Sequence, residues 1–213
     1  MKQTAEMVDF FRLNGVKQTF KKNDPIIQQG SSPDGVFYIF EGLVKAFDIT
    51  KYNEENLLVI RKADEIFPII WAVTGHDRQV IYQAIAPSTV YKVSRKAFLE
   101  FINNNHDALA PLLDMTMEMY RLHSERIFTL EYRTVRERII SFLLSMNQRF
   151  GKPMSNGHTL IEVPLRHQDI ASSVNATRET TSREIAALER KGLLENKQSY
   201  IVIKDIKALR RHI

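Results

Sequence analysis

Arg178, Glu179 and Arg183 lie close together in the stretch NATRETTSREIAALERKGLL, residues 175–194. An arginine fork can donate to N7 and O6 of guanine, and a glutamate can accept from N4 of cytosine. Thr180 and Ser182, with the free amides of a helix start, can donate to phosphate. These residue types can read base-pair edges while gripping a nucleic-acid backbone. The competing reading is a solvated helix face with a local Glu179–Arg183 pair at four-residue spacing. The helix alone does not separate the two.

The elements that would position these side chains favour the first reading. Thr177 predicts an N-cap, with Arg178, Glu179 and Thr180 in the first turn. At about 100° per residue, Thr181, Ile185 and Leu188 share one sector of roughly 60°. Glu179, Ser182, Arg183, Ala186 and Arg190 share another, roughly 100° wide, so the predicted helix has one side to bury and one to present. The preceding segment, RHQDIASSV, offers Ile170, Ala171 and Val174 to the same core, and Ala171-Ser172-Ser173 is small enough for a close crossing. Two strands around Glu195–Ser199 follow. Helix, turn, helix and hairpin make a winged helix-turn-helix pattern. Charge agrees: residues 164–213 carry ten Lys or Arg against six acids, which is four of the chain's five net positive charges.

Upstream, residues 18–94 read as short strands and turns, among them GVFYIFEGLVKAF and RQVIYQAIAPSTVYKVS, which suggests an antiparallel barrel or sandwich. Ser94 predicts the cap of a helix through Phe101. From Asp107 onward nothing but Pro111 interrupts a helical pattern before Gly151, and Pro is tolerated in a first turn. Leu112, Met115, Met119 and Leu122 form a near-heptad seam, expected to pair with the same helix of a second subunit, against the plainer alternative that it packs on its own barrel. Leu130–Thr134 is expected to be a hinge, because LEYRTVRER replaces the seam with charges and a Thr-Val pair. Residues 151–157 read as a loop, and LIEVPL as a strand.

Composition narrows the function classes. Cysteine is absent, which excludes disulfides, thiolate-held zinc and cysteine-ligated iron–sulfur clusters. The six histidines show no metal-ligand spacing, so no metal is expected. No apolar run approaches a membrane span, and the N-terminal residues lack the sections of a signal peptide. A cytoplasmic location without membrane contact is expected. A cupin-type metalloenzyme would need paired His and a following Glu in one hairpin, and the chain has neither, so it is read as a non-enzyme.

The segment QDIASSVNATRETTSREIAALERKGLL resembles the DNA-binding segment of the cyclic-AMP receptor/FNR (CRP/FNR) family of bacterial transcription regulators. The shared positions include Gln168-Asp169-Ile170-Ala171, Arg178-Glu179-Thr180, Arg183, Leu188 and Gly192-Leu193-Leu194. Upstream, FKKNDPIIQQGSSPDGVFYIFEGLVKAF is similar to the family's β-roll, with Gly30, Tyr38, Ile39, Gly42 and Val44 in place, so the likeness covers nearly the whole chain. It implies an α+β fold: an antiparallel β-roll sensor over residues 1–106, a dimerisation helix and hinge over 107–134, and a winged helix-turn-helix over 135–213. It also implies a homodimer that reads a DNA palindrome, with RNA polymerase as a partner. The family's base-contacting Arg, Glu and Arg fall on Arg178, Glu179 and Arg183. Ser182 sits where the FNR branch uses a Ser on DNA, and Thr177, Thr180 and Gln168 complete the expected contact set.

The sensor cassette departs from the family. Arg78 occupies the phosphate-binding Arg position. Phe67 and Pro68 replace the Gly and the ribose-binding Glu, and Gln79 replaces the Ser. A ribose hydroxyl thus loses its charged acceptor, and Pro68 removes a backbone donor, which argues against cyclic AMP. Haem would need His76 or His123 and is not expected, so no cofactor is assigned. The tentative effector set is Arg78, Phe67, Pro68, Gln79 and His123. It would suit an apolar carboxylate, against the plainer alternative that the aromatic residues simply fill the roll. The alternative function is a signal-binding adaptor that does not read bases.

Overall fold

In the β3 strand (Val36–Glu41) successive side chains alternate between two cores, as a strand's period of two requires. Val36 and Tyr38 face one, with Ile66, Val93, Phe98 and Met115, while Phe37 and Ile39 face the other, with Val44, Phe67, Tyr82 and Val90. The computed structural model describes residues 4–213, which divide into two compact units. The first runs to Thr50 and resumes at Leu58–Met119; the second comprises Lys51–Leu57 and Tyr120–Ile213. No helix among the described residues is long and apolar enough to cross a membrane.

Two four-stranded sheets make the first unit. One has the order β1 (Val16–Phe20), β8 (Ser88–Val93), β3, β6 (Ile66–Phe67). The other has the order β2 (Pro25–Ile27), β7 (Ile81–Ala84), β4 (Leu43–Ile49), β5 (Glu55–Lys62). The β3–β4 turn needs glycine: Gly42 has φ +103°, and a Cβ there would lie 2.6 Å from the Pro87 carbonyl oxygen. Helices α1 (Ala5–Asn14), α2 (Ile69–Thr74) and α3 (Arg95–Asn104) cover one core, through Met7, Phe11, Ile69 and Phe98. Ser94 caps α3 as expected, accepting from the Ala97 amide at 3.1 Å, and the helix runs three residues beyond Phe101. Neither α1 nor α2 was expected from the sequence. Each is short and buries only a few apolar side chains, which leaves little periodicity to read.

Helix α4 spans Leu109–Tyr132. Its seam faces inward: Leu112, Met115 and Met119 are only 6, 4 and 7% exposed, and Leu122 is half-buried. The reading of Leu112, Met115 and Met119 as a subunit seam is therefore corrected, because these side chains have almost no area left to bury. The outward apolar row is a second stripe: Leu113, Met117, Tyr120 and Ile127, exposed by 59, 50, 69 and 65%. Helical periodicity marks Leu112, Met115 and Met119 as one apolar row but does not say whether its own core or a second subunit claims it.

The helix breaks at Arg133–Thr134, within the expected 130–134 segment. Thr134 caps α5 (Val135–Phe150) through a reciprocal box: its Oγ1 accepts from the Glu137 amide, and Glu137 Oε2 accepts from the Thr134 amide at 2.8 Å. The rest of the second unit is α6 (His167–Ser173), α7 (Arg178–Arg190), α8 (Ile206–Arg210) and a sheet. That sheet has the order β11 (Leu194–Lys197), β12 (Tyr200–Ile203), β10 (Thr159–Ile161), β9 (Gly151–Pro153). The expected loop over 151–157 thus begins as a strand, with Gly151 opposite Ile161 and Pro153 opposite Thr159. The expected strand 160–165 ends early, at Ile161.

Candidate nucleic-acid interface

Helix α6 starts with a strong local lock. Asp169 accepts from the Arg166 amide at 3.0 Å and from its guanidinium at 3.0 and 2.8 Å. That bond holds the Arg166 guanidinium proton even more firmly than usual, against the opposing effect of burial. Ile170, Ala171 and Val174 are buried as expected, and Asn175 turns the chain at φ +49°, a conformation asparagine tolerates.

Thr177 then starts α7. Its Oγ1 accepts from the Thr180 amide at 3.1 Å and donates to the Thr180 hydroxyl at 3.1 Å. Both hydroxyls are thereby engaged in the cap, although Thr177 remains exposed. Thr181, Ile185 and Leu188 are buried along one side of the helix. Gly192, at φ +72°, turns the chain out of α7, and the Leu193 amide reaches back to the Leu188 carbonyl at 3.1 Å. The wing, β11 and β12, follows immediately.

The opposite side of α7 carries the candidate base-reading groups. Arg178, Glu179 and Arg183 are all exposed, as is Gln168 on α6. Among the described residues no ion pair joins Glu179 to Arg183, so the solvated local pair is not what the structure places there. Other carboxylates of α7 are committed: Glu184 pairs with Arg136 on α5 at 2.6 Å, and Glu189 accepts from the Asn196 amide at 2.7 Å.

Ser182 differs from the expectation. Its hydroxyl lies 2.7 Å from Nδ1 of His167, and Nε2 of the same ring lies 3.0 Å from the Asn196 side-chain nitrogen in the wing. Ser182 is half-buried and turned into the protein rather than free to meet DNA. Sequence reading missed His167 because it sought metal spacing, and a single ring bridging residues 15 and 29 positions away leaves no local pattern.

In the first unit, the expected effector residues differ in burial. Phe67 is fully buried, its ring stacked 5.1 Å from Phe37 and 4.6 Å from Tyr82. Pro68 is buried at the start of α2, while Arg78 and Gln79 are exposed on the segment before β7. Gln79 takes φ +53°, and its amide donates to Asp77 at 2.8 Å. That bond, with a second from Ser32, holds the Asp77 carboxyl below its ordinary range. Burial pushes the Tyr82 phenol up, opposed by the charges of Arg61 and Arg78. His123 lies on α4 in the second unit.

Two family models match the chain: the Crp-like helix-turn-helix domain over residues 137–212 and the cyclic nucleotide-binding domain over residues 17–105. The global nitrogen regulator of Nostoc sp. is 28% identical over 195 residues, covering 88% of this chain and 85% of that protein. The cAMP-activated global transcriptional regulator CRP of Salmonella typhimurium is 24% identical, covering 94% and 95%. In fold, the chain is similar to FixK2 from Bradyrhizobium japonicum, with a TM-score of 0.78 at 20% identity over 92% of this chain and 96% of that one.

Proposed function

This chain belongs to the CRP/FNR family of transcription regulators, and we propose that within it the protein is a homodimer that reads a two-fold DNA site with α7. The observation that carries this reading is the exposed triad Arg178, Glu179 and Arg183 on a helix whose other side is locked into the core. Arg178 and Arg183 would engage guanine, and Glu179 cytosine. The exposed face of Gln168 and the capped start of α7 would lie along phosphates. The outward row Leu113, Met117, Tyr120 and Ile127 supplies the subunit contact in place of the inward seam. RNA polymerase is the partner through which such a protein would act, and the cytoplasm is where it would meet both.

The relative from Salmonella typhimurium is named as cAMP-activated. For this chain we assign no cyclic AMP: Phe67 fills the roll interior, and neither Pro68 nor Gln79 restores the lost polar groups. Affinity for duplex DNA measured across a salt series tests the function, since phosphate neutralisation makes the logarithm of the affinity fall linearly with that of salt. Binding without salt dependence, or no binding, overturns it.

A further inference from the structure

We propose that His167 is a positioning residue for base reading, fixing the roll of α7 and the seat of the wing together. The inference rests on the DNA-reading function above. The buried stripe Thr181, Ile185 and Leu188 anchors α7 along one line, which resists lifting the helix better than turning it about its own axis. Ser182 projects about 100° round from Thr181, and there its hydroxyl meets His167 Nδ1 at 2.7 Å. This is a second fixed point off the first line. Through Nε2 the same ring meets Asn196 at 3.0 Å, and the Asn196 amide donates to Glu189 of α7 at 2.7 Å. One imidazole thus ties the first residue of α6 to both the recognition helix and β11. A neutral ring satisfies both contacts: the Asn196 side-chain N–H donates to Nε2, and the Nδ1 proton is donated to Ser182 Oγ. Ser182 directly precedes Arg183 and lies four residues after Arg178, so turning it carries both guanidinium groups with it.

The test compares affinity for a selected duplex with that for a scrambled one at fixed salt, with thermal melting as the folding control. His167→Ala lowers the selected-to-scrambled ratio by about three- to tenfold per half-site, the worth of a lost hydrogen-bonded fixing point. Scrambled binding stays within about twofold, because the phosphate-facing charges are untouched. Ser182→Ala does the same, and the double variant loses no more than either single one. His167→Asn, whose amide nitrogen stands near the Nδ1 position, recovers most of the ratio, whereas His167→Gln, which reaches the Nε2 position, does not. Should His167→Ala fail to fold, the Asn and Gln variants carry the comparison. Additive losses, equal loss on scrambled DNA, or no difference between Asn and Gln overturns the proposal. A wild-type protein that prefers neither duplex overturns the function itself. A wild-type preference that every variant keeps overturns only the role of His167.

Discussion

Met117→Glu separates the outward row of α4 from the inward one. At roughly 200 Å² per large side chain, the exposed parts of Leu109, Leu113, Met117, Tyr120, Ile127, Phe128 and Tyr132 come to about 800 Å². That is about what each partner buries in a standard interface. Met117 is half exposed, so pairing would bury the remaining half, worth about 1 kcal/mol per copy and about 2 per two-fold dimer. A carboxylate placed near its symmetry mate in an apolar contact adds at least about 1 kcal/mol more. The sum, about 3 kcal/mol, raises the dimer Kd roughly a hundredfold. Met115→Ala is the control: it leaves a cavity beside Ile66 and costs the first unit about 2–5 kcal/mol while barely moving the dimer Kd. Sedimentation equilibrium over a concentration series reads both. Dissociation by Met115→Ala with Met117→Glu still dimeric would instead place the subunit contact on the inward row.

Other expectations follow from single contacts. Phe67→Ala removes a fully buried ring stacked on Phe37 and Tyr82 and costs about 3–5 kcal/mol in denaturant unfolding, while cyclic AMP leaves the melting temperature of the unaltered protein unchanged. A saturable rise in melting temperature with cyclic AMP contradicts this account of the roll interior. Thr134→Ala removes the cap of α5 and costs about 1 kcal/mol. Hydrogen bonds from the Thr134 side chain and amide hold the Glu137 carboxyl below its ordinary 4.5, so its contribution is complete above that value and disappears as pH falls through the lower, folded-state value. Acid titration should therefore narrow the gap between the wild type and Thr134→Ala at low pH, leaving the part due to the Thr134 Oγ1–Glu137 amide bond; parallel curves would contradict it.

Much of the second unit was legible because its signals are local. Thr177 announces a cap, the spacing of Thr181, Ile185 and Leu188 announces a buried stripe, and Gly192 announces the turn into the wing. The position of the helix break was legible as a loss of apolar pattern, though its cause is the Thr134–Glu137 box. What escaped was set by distant partners. Two apolar stripes run along α4, and only the packed core decides that Met115 turns in and Met117 out. Ser182 has the chemistry of a phosphate contact, but His167, fifteen residues upstream, takes its hydroxyl. In the sensor cassette the replacement by Phe67 was plain, yet only the stack with Phe37 and Tyr82 gives it a place. The short helices α1, α2 and α8 carry too few turns to show a period.

The measurement that bears most directly on the account is selection of bound duplexes from a random pool by the purified protein, run in parallel with Arg183→Ala. The wild type should enrich two inverted half-sites whose centres lie about one duplex turn apart, roughly 34 Å. Arg183→Ala should flatten preference at one G·C pair in each half-site, at about 1–3 kcal/mol, and leave the remaining positions intact. An unenriched pool, an asymmetric site, or a wild-type consensus unchanged by Arg183→Ala would contradict base reading by α7.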